Sequence, residues 1–432
     1  MVPPRLRSTL LTRRGFVAGV AIGVGDALLA ACGGVSTATP NPAPSGATLT
    51  ATVPATTAGG TSSTLPTTTT ASTTALAPTL IAGSPAAATA TLATAPIASV
   101  STALTNGEQE ITFTSGADTI SGTLLLPDAG QGQKLPAAVI LAGSGPTDRD
   151  GNSKLIPGPV NTLRNFADAL AGQGIASLRY DKVGSGKTGR ASHTTPADVG
   201  FNLFVDEARA AYTFLRARPE VDPRRTIFLG HSEGGLIALV IADQLKGIGD
   251  APEALMLAAP PGFPILETIR RQITDQYTQA QQAGKVTKEQ ADSALAEQDR
   301  AIASLKQTGK VPADITTPAL KQIFTSANEK FLAEAEMDDP RQIAATLPPT
   351  LPVLVLHGTK DQPVGTADVQ NLMQGFQTAG NTKAMLAELT GVDHVFKEVP
   401  GTPNPATDYG DPALHFSSEA MVRLAAFTKA NV

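Results

Sequence analysis

The run Gly230-His231-Ser232-Glu233-Gly234-Gly235 puts a serine where its hydroxyl can become a nucleophile. A serine hydroxyl attacks poorly unless it is exposed, held near a base and relieved of its proton. A G-x-S-x-G turn between a strand and a helix supplies the exposure, and its glycines keep side chains from colliding with the flanking elements. Residues 226–229 read as a buried strand and 233–245 as a helix, with Ser232 at the junction. At that junction the Glu233 amide has no acceptor inside its own helix and is free to stabilise an oxyanion.

A base and an orienting acid should follow in the order Ser, Asp, His if the turn is of this kind. Downstream of Ser232 the histidines are His357, His394 and His415. His394 comes just after the last expected strand, where loops gather at the carboxyl edge of a parallel sheet. His357 ends a strand and is expected to bond locally, while His415 is expected in the opening turn of the last helix. Asp361, in a loop after a buried strand, is the expected acid; Asp393 adjoins His394 and would point elsewhere. The second oxyanion donor should come from the loop after the third strand. That loop reads Ala142-Gly143-Ser144-Gly145-Pro146-Thr147-Asp148-Arg149-Asp150-Gly151, and the Ser144 amide is the candidate.

These residues need a frame. Residues 110–114 and 119–126 alternate around Ser115-Gly116-Ala117-Asp118 and predict a hairpin. Apolar runs at 137–141, 175–178, 226–229, 254–257, 353–356 and 384–389 predict buried strands. Helical patterns at 160–171, 197–218, 233–245, 367–379 and 412–429 alternate with them. The expected fold class is α/β, a doubly wound and mostly parallel sheet with the hairpin as its antiparallel edge. Residues 264–347 break the rhythm: they are polar, with Ile265, Ile269, Ile273 and Tyr277 at helical spacing, and predict a helical cap inserted in the 108–432 domain.

Composition limits the remainder. Residues 33–107 contain no Asp, Glu, Lys or Arg, only Thr, Ala, Ser, Pro, Gly, Asn and a few aliphatics. Such a stretch gains too little from burial to offset its ordering entropy and is expected to be a disordered linker. Ahead of it, Arg5, Arg7, Arg13 and Arg14 precede a short apolar run ending in small residues. Residues 1–31 are therefore expected to be a signal peptide. Thr12-Arg13-Arg14-Gly15-Phe16-Val17 resembles a twin-arginine export signal, and Leu29-Ala30-Ala31-Cys32 a lipobox that would lipidate Cys32. Localisation on the outer face of a cell membrane, tethered by lipid and by linker 32–107, follows as an expectation. The net charge is −5, and removing the +3 of residues 1–31 leaves −8, with no basic block to hold nucleic acid. One cysteine excludes an internal disulfide framework.

The same motifs carry a family likeness. Gly143-Ser144-Gly145-Pro146-x-Asp148-Arg149-Asp150-Gly151, the Gly230–Gly235 turn, Gly358-x-x-Asp361 and Asp393-His394-x-Phe396 occur in this order. Together they resemble the alpha/beta-hydrolase superfamily, in particular bacterial carboxylesterases with a helical cap, over roughly residues 108–432. The resemblance implies hydrolysis of carboxylic esters, often short-chain, with no cofactor. It makes Ser232 the nucleophile, Asp361 the acid, His394 the base, and the Ser144 and Glu233 amides the oxyanion hole. One departure is in the loop after the fourth strand, Asp181-Lys182-Val183-Gly184-Ser185-Gly186, where Val183 replaces the usual arginine. With Lys187-Thr188 that loop also imitates a phosphate-binding G-x-x-x-x-G-K-[ST], but Asp181 would set a carboxylate where phosphates must be cradled. No H-E-x-x-H occurs and the histidines are scattered, so no metal site is expected. An aminopeptidase or acyltransferase on the same fold, or a non-enzymatic surface-binding lipoprotein, are the alternatives to an esterase.

Overall fold

A computed structural model of the chain describes residues 107–128, 130 and 132–432. The expected signal peptide, Cys32 and all but the end of the expected linker lie outside these residues. The alternating leader folds as β1 (Glu108–Ser115) and β2 (Asp118–Leu125), an antiparallel pair turning through Gly116. The apolar runs become β3 (Leu135–Leu141), β4 (Ala176–Tyr180), β5 (Val221–His231), β6 (Leu255–Ala258), β7 (Val353–Gly358) and β8 (Ala384–Leu389). They form one sheet in the order β1-β2-β4-β3-β5-β6-β7-β8. Only β2 runs against its neighbours; the other pairings are parallel.

Alternate side chains of the strands enter opposite layers. Val139 and Leu141 of β3 join the core that includes Phe204, Leu239 and Phe376. Ala138 and Ile140 join the other core, with Phe166, Leu424 and Phe427. The covering helices are α1 (Thr162–Ala171), α2 (Phe201–Arg216) and α3 (Glu233–Leu245) from the first half of the chain. A sheet buried on both faces explains why the strands read as continuous apolar runs.

Between β6 and β7 the chain departs into α4 (Ile265–Gln282), α5 (Lys288–Thr308), α6 (Leu320–Ile323), α7 (Glu329–Ala335) and α8 (Pro340–Thr346). The Ile265, Ile269, Ile273 and Tyr277 stripe of α4 is buried, as its spacing requires. Thr287 caps α5, its hydroxyl accepting from the Gln290 amide while the Gln290 side chain takes the Thr287 amide. After β7 come α9 (Thr366–Thr378), α10 (Pro405–Asp408) and α11 (Ser418–Asn431). The far end of the insertion leans on α9, where a Cβ at Gly375 would sit 2.3 Å from the Arg341 carbonyl of α8.

Three expected boundaries move by more than two residues. β5 extends back to Val221 because Val221 pairs with Leu135 across a register shift. The helix expected over 197–218 is split: Pro196–Asp198 is a 3₁₀ turn, and α2 starts only after Gly200, whose backbone is extended. The last helix begins at Ser418, where the Ser417 hydroxyl accepts from the Ala420 amide. His415 therefore does not open that helix. It lies in the preceding extended segment, exposed, with its carbonyl accepting from the Glu398 amide.

Candidate active site

β5 runs straight into the elbow, and α3 begins one residue after Ser232. Ser232 adopts φ 55° and ψ −123°, a conformation that a non-glycine residue holds only when its surroundings enforce it. The flanking glycines supply that enforcement by contact. A Cβ on Gly230 would lie 2.2 Å from the Gly234 carbonyl, and one on Gly234 2.4 Å from the Leu141 carbonyl. Either side chain would push strand and helix apart and relax the turn.

The Asp361 and His394 loops meet beside the elbow. His394 Nδ1 donates to Asp361 Oδ2 at 2.8 Å, and the other Asp361 oxygen accepts from the Val364 amide at 2.8 Å. With Nδ1 committed, Nε2 is the basic nitrogen of the ring. Burial alone would depress the His394 pKa, but the charge and hydrogen bond of Asp361, helped by Asp393, lift it above its ordinary 6.5. Phe396, itself at φ 65°, packs edge-on to Phe166 with ring centroids 5.1 Å apart and anchors this loop in the core.

Ser232 Oγ is buried and hydrogen-bonds to no described residue, so a serine–imidazole bond is not formed. Such bonds commonly tighten only once substrate is in place. What ties the elbow to the His394 loop is His231. Its Nε2 donates to the His394 carbonyl at 2.9 Å, and the two imidazole centroids stand 4.9 Å apart. Burial, then the neighbouring His394, pushes the His231 pKa down to about 3, so His231 stays a neutral donor. Sequence reading left His231 without a role; its place inside the elbow was the available signal.

The oxyanion candidates also lie near Ser232. A Cβ on Gly143 would be 3.2 Å from Ser232 Cβ, which places the Gly143-Ser144 turn against the serine. Thr147 Oγ1 donates to the Ser144 carbonyl at 2.9 Å and closes that turn. The Ser144 amide meets no acceptor among the described residues, and the Glu233 amide opens α3. The remaining histidine and aspartate behave as expected. His357 Nε2 bonds the Val364 carbonyl at 3.1 Å. Asp393 accepts from the Val395 and Lys397 amides at 3.0 and 2.8 Å, and burial raises its pKa to about 6.

The phosphate-loop imitation is filled by its own carboxylate. A Cβ on Gly186 would collide with the Asp181 side chain at 2.1 Å. Asp181 in turn accepts from the Arg149 guanidinium at 2.7 Å and from the Lys187 amide at 2.8 Å. Val183, in place of the usual arginine, is simply buried in the core. Among the described residues no His, Cys, Asp and Glu cluster could hold a metal ion, and no helix is long and apolar enough to cross a membrane.

No curated protein matches the chain. Solved structures similar to it include an esterase of Pyrococcus furiosus, at 14% identity and TM-score 0.45 over 75% of this chain and 91% of that one. A Penicillium alpha/beta hydrolase aligns at 16% identity and TM-score 0.46, covering 75% and 98% of the two chains. An acylaminoacyl peptidase of Pyrococcus horikoshii aligns at 14% and 0.47, covering 75% of this chain and 41% of that one. The family model described as "Serine aminopeptidase, S33" matches residues 160–394, more than half of the sequence and the span from the first helix to the base loop. The chain is a hydrolase of that family, built on the alpha/beta-hydrolase fold.

Proposed function

We propose that the protein hydrolyses carboxylic esters through an acyl-enzyme on Ser232. Ser232 Oγ attacks the ester carbonyl carbon while its proton passes to His394 Nε2. The negative charge that develops on the carbonyl oxygen is met by the Ser144 and Glu233 amides. Collapse of the tetrahedral adduct breaks the acyl–oxygen bond, and the departing alkoxide takes the proton back from His394. Water, deprotonated by the same imidazole, then releases the acid. Asp361 holds the ring in the tautomer that leaves Nε2 basic, and stabilises the imidazolium.

The strained elbow of Ser232, tied through His231 to the loop of an imidazole that is itself bonded to a buried carboxylate, carries this reading. An aminopeptidase is the second reading, favoured by the family's own description. A fluorophosphonate probe should label the wild-type protein and not Ser232→Ala. Graded p-nitrophenyl esters, assayed beside aminoacyl p-nitroanilides, should show faster turnover of the esters. A wild-type protein that refuses the probe overturns the serine reading, and faster anilide turnover overturns the ester.

Export and anchoring belong to the same proposal: Cys32 would carry the lipid and the charge-free residues after it would act as the tether. A Cys32→Ser variant should lose fatty-acid labelling while retaining full turnover. A labelled Cys32→Ser variant would remove the anchor from the proposal.

A further inference from the structure

The loop between β4 and α2 sends one ammonium into the protein interior. Lys182 is only 3% exposed, and its Nζ donates to the Gly143 carbonyl at 2.7 Å and to Glu233 Oε1 at 3.0 Å. The same nitrogen stands 4.7 Å from the centre of the Phe204 ring. The Glu233 side chain is equally buried, and its Oε2 has no partner among the described residues.

Lys182 thus grips Glu233, whose amide is one of the two oxyanion donors assigned above, and Gly143, the residue just before the other, Ser144. The coincidence is closer still for Gly143, because the Gly143 carbonyl and the Ser144 N–H are the two ends of one planar peptide group. In a trans peptide they point in opposite directions, so fixing the oxygen fixes the direction of the N–H. No cis peptide occurs among the described residues. A cation on the carbonyl also draws electron density from the amide, and hydrogen bonds in series polarise one another. Charge-assisted bonds are roughly twice as strong as neutral ones, so the ammonium holds the plane firmly.

We propose that Lys182 is a positioning residue for the oxyanion hole: it orients and polarises the Gly143–Ser144 peptide while tying it to the side chain of the other donor residue, Glu233. The assignment rests on the Ser232 reading above. Stability alone accounts poorly for the arrangement, because a buried ion pair gives little net stability relative to apolar residues of similar volume. The loop that carries Lys182 thus acts on the reaction without touching substrate.

The test compares wild type, Lys182→Met, and the double variant Lys182→Met/Glu233→Gln, which leaves no unpaired buried carboxylate. Each is assayed for fluorophosphonate labelling, for kcat and KM on p-nitrophenyl acetate, and for inhibition by an aryl trifluoromethyl ketone, whose serine adduct carries an oxyanion. In the double variant kcat should fall about 100-fold with KM within twofold, and the ketone should bind weaker by the same factor. A cooperatively melting double variant with kcat and ketone affinity unchanged overturns the role of Lys182, while labelled wild type leaves the Ser232 reading standing. A rise in KM alone, or a double variant that does not fold, also overturns it by assigning Lys182 to binding or to stability. Wild type that is not labelled overturns both.

Discussion

Asp181 and Asp361 occupy matching places, each in the loop that leaves the carboxyl end of a parallel strand, β4 and β7 respectively. Asp181 is saturated by groups that do not change charge near neutrality. Arg149 reaches it through Nε at 3.0 Å, a terminal nitrogen at 2.7 Å and its own amide at 2.8 Å, and the Lys187 amide adds a fourth bond. Asp361 gives one oxygen to a backbone amide and the other to an imidazole. Burial is similar, and the partners differ. A buried carboxylate facing a permanent cation is a fastener, whereas one facing an imidazole sets the proton affinity of a base.

Substitution should separate the two most sharply in turnover. Asp361→Asn should lower kcat on p-nitrophenyl acetate by about 10⁴, since the ring loses its orienting acceptor. Its melting temperature should stay close to that of the wild type, because an amide oxygen can still accept from Val364. In the wild type the acid limb of kcat/KM should lie above pH 6.5, where His394 becomes neutral. A limb below that value would contradict the raised pKa of the imidazole.

Asp181→Asn should do the reverse. It strands the buried Arg149 guanidinium, whose other carboxylate partner, Glu110, is largely exposed, and should cost about 3–5 kcal/mol in urea unfolding. Turnover per folded molecule should fall by less than tenfold, with the acid limb unmoved. A loss of turnover as deep as that of Asp361→Asn would erase the distinction between fastener and base support.

Glu207 extends the comparison to a buried carboxyl with neither kind of ionic partner in contact. Burial, outweighing the Val183 amide bond and the charge of Lys182, raises its pKa to about 8 from 4.5. A carboxyl raised in this way adds nothing unfavourable below the unfolded pKa, and its destabilisation grows as pH rises from about 4.5 and is complete above about 8. Wild-type stability should therefore decline across that window, and Glu207→Gln should flatten the decline. The expected difference is a few degrees in melting temperature at pH 9 and almost none at pH 5. Parallel melting curves at both pH values would show that Glu207 is not the titrating group.

The legible parts of the molecule were those written in local pattern. The elbow announced itself because strand, serine, glycines and helix are contiguous, and Asp361 and His394 followed from chain order and from loops placed after strands. The stripe Ile265, Ile269, Ile273 and Tyr277 was readable for the same reason, as helical spacing is a local property. Lys182 and His231 were not, because their partners lie 39, 51 and 163 residues away and are chosen by packing rather than by spacing. The break before α2 was hidden by the helical character of 197–199, which a single Gly200 interrupts. The start of α11 was misplaced because Pro412 reads as a first helical residue, whereas the cap that forms is at Ser417.

The pairing of β6 with β7 has a consequence in chain entropy. The two strands are neighbours in the sheet although roughly 90 residues lie between them. Closing a loop of that length rather than a crossover of about a dozen residues takes three doublings, or about 2 kcal/mol, since the cost grows only with the logarithm of length. Much of that is returned wherever the intervening helices bury a stripe of their own, as α4 does. Chain length at this joint is thus nearly free of thermodynamic penalty, and segments of very different size can be exchanged there with the register of β6 on β7 unchanged.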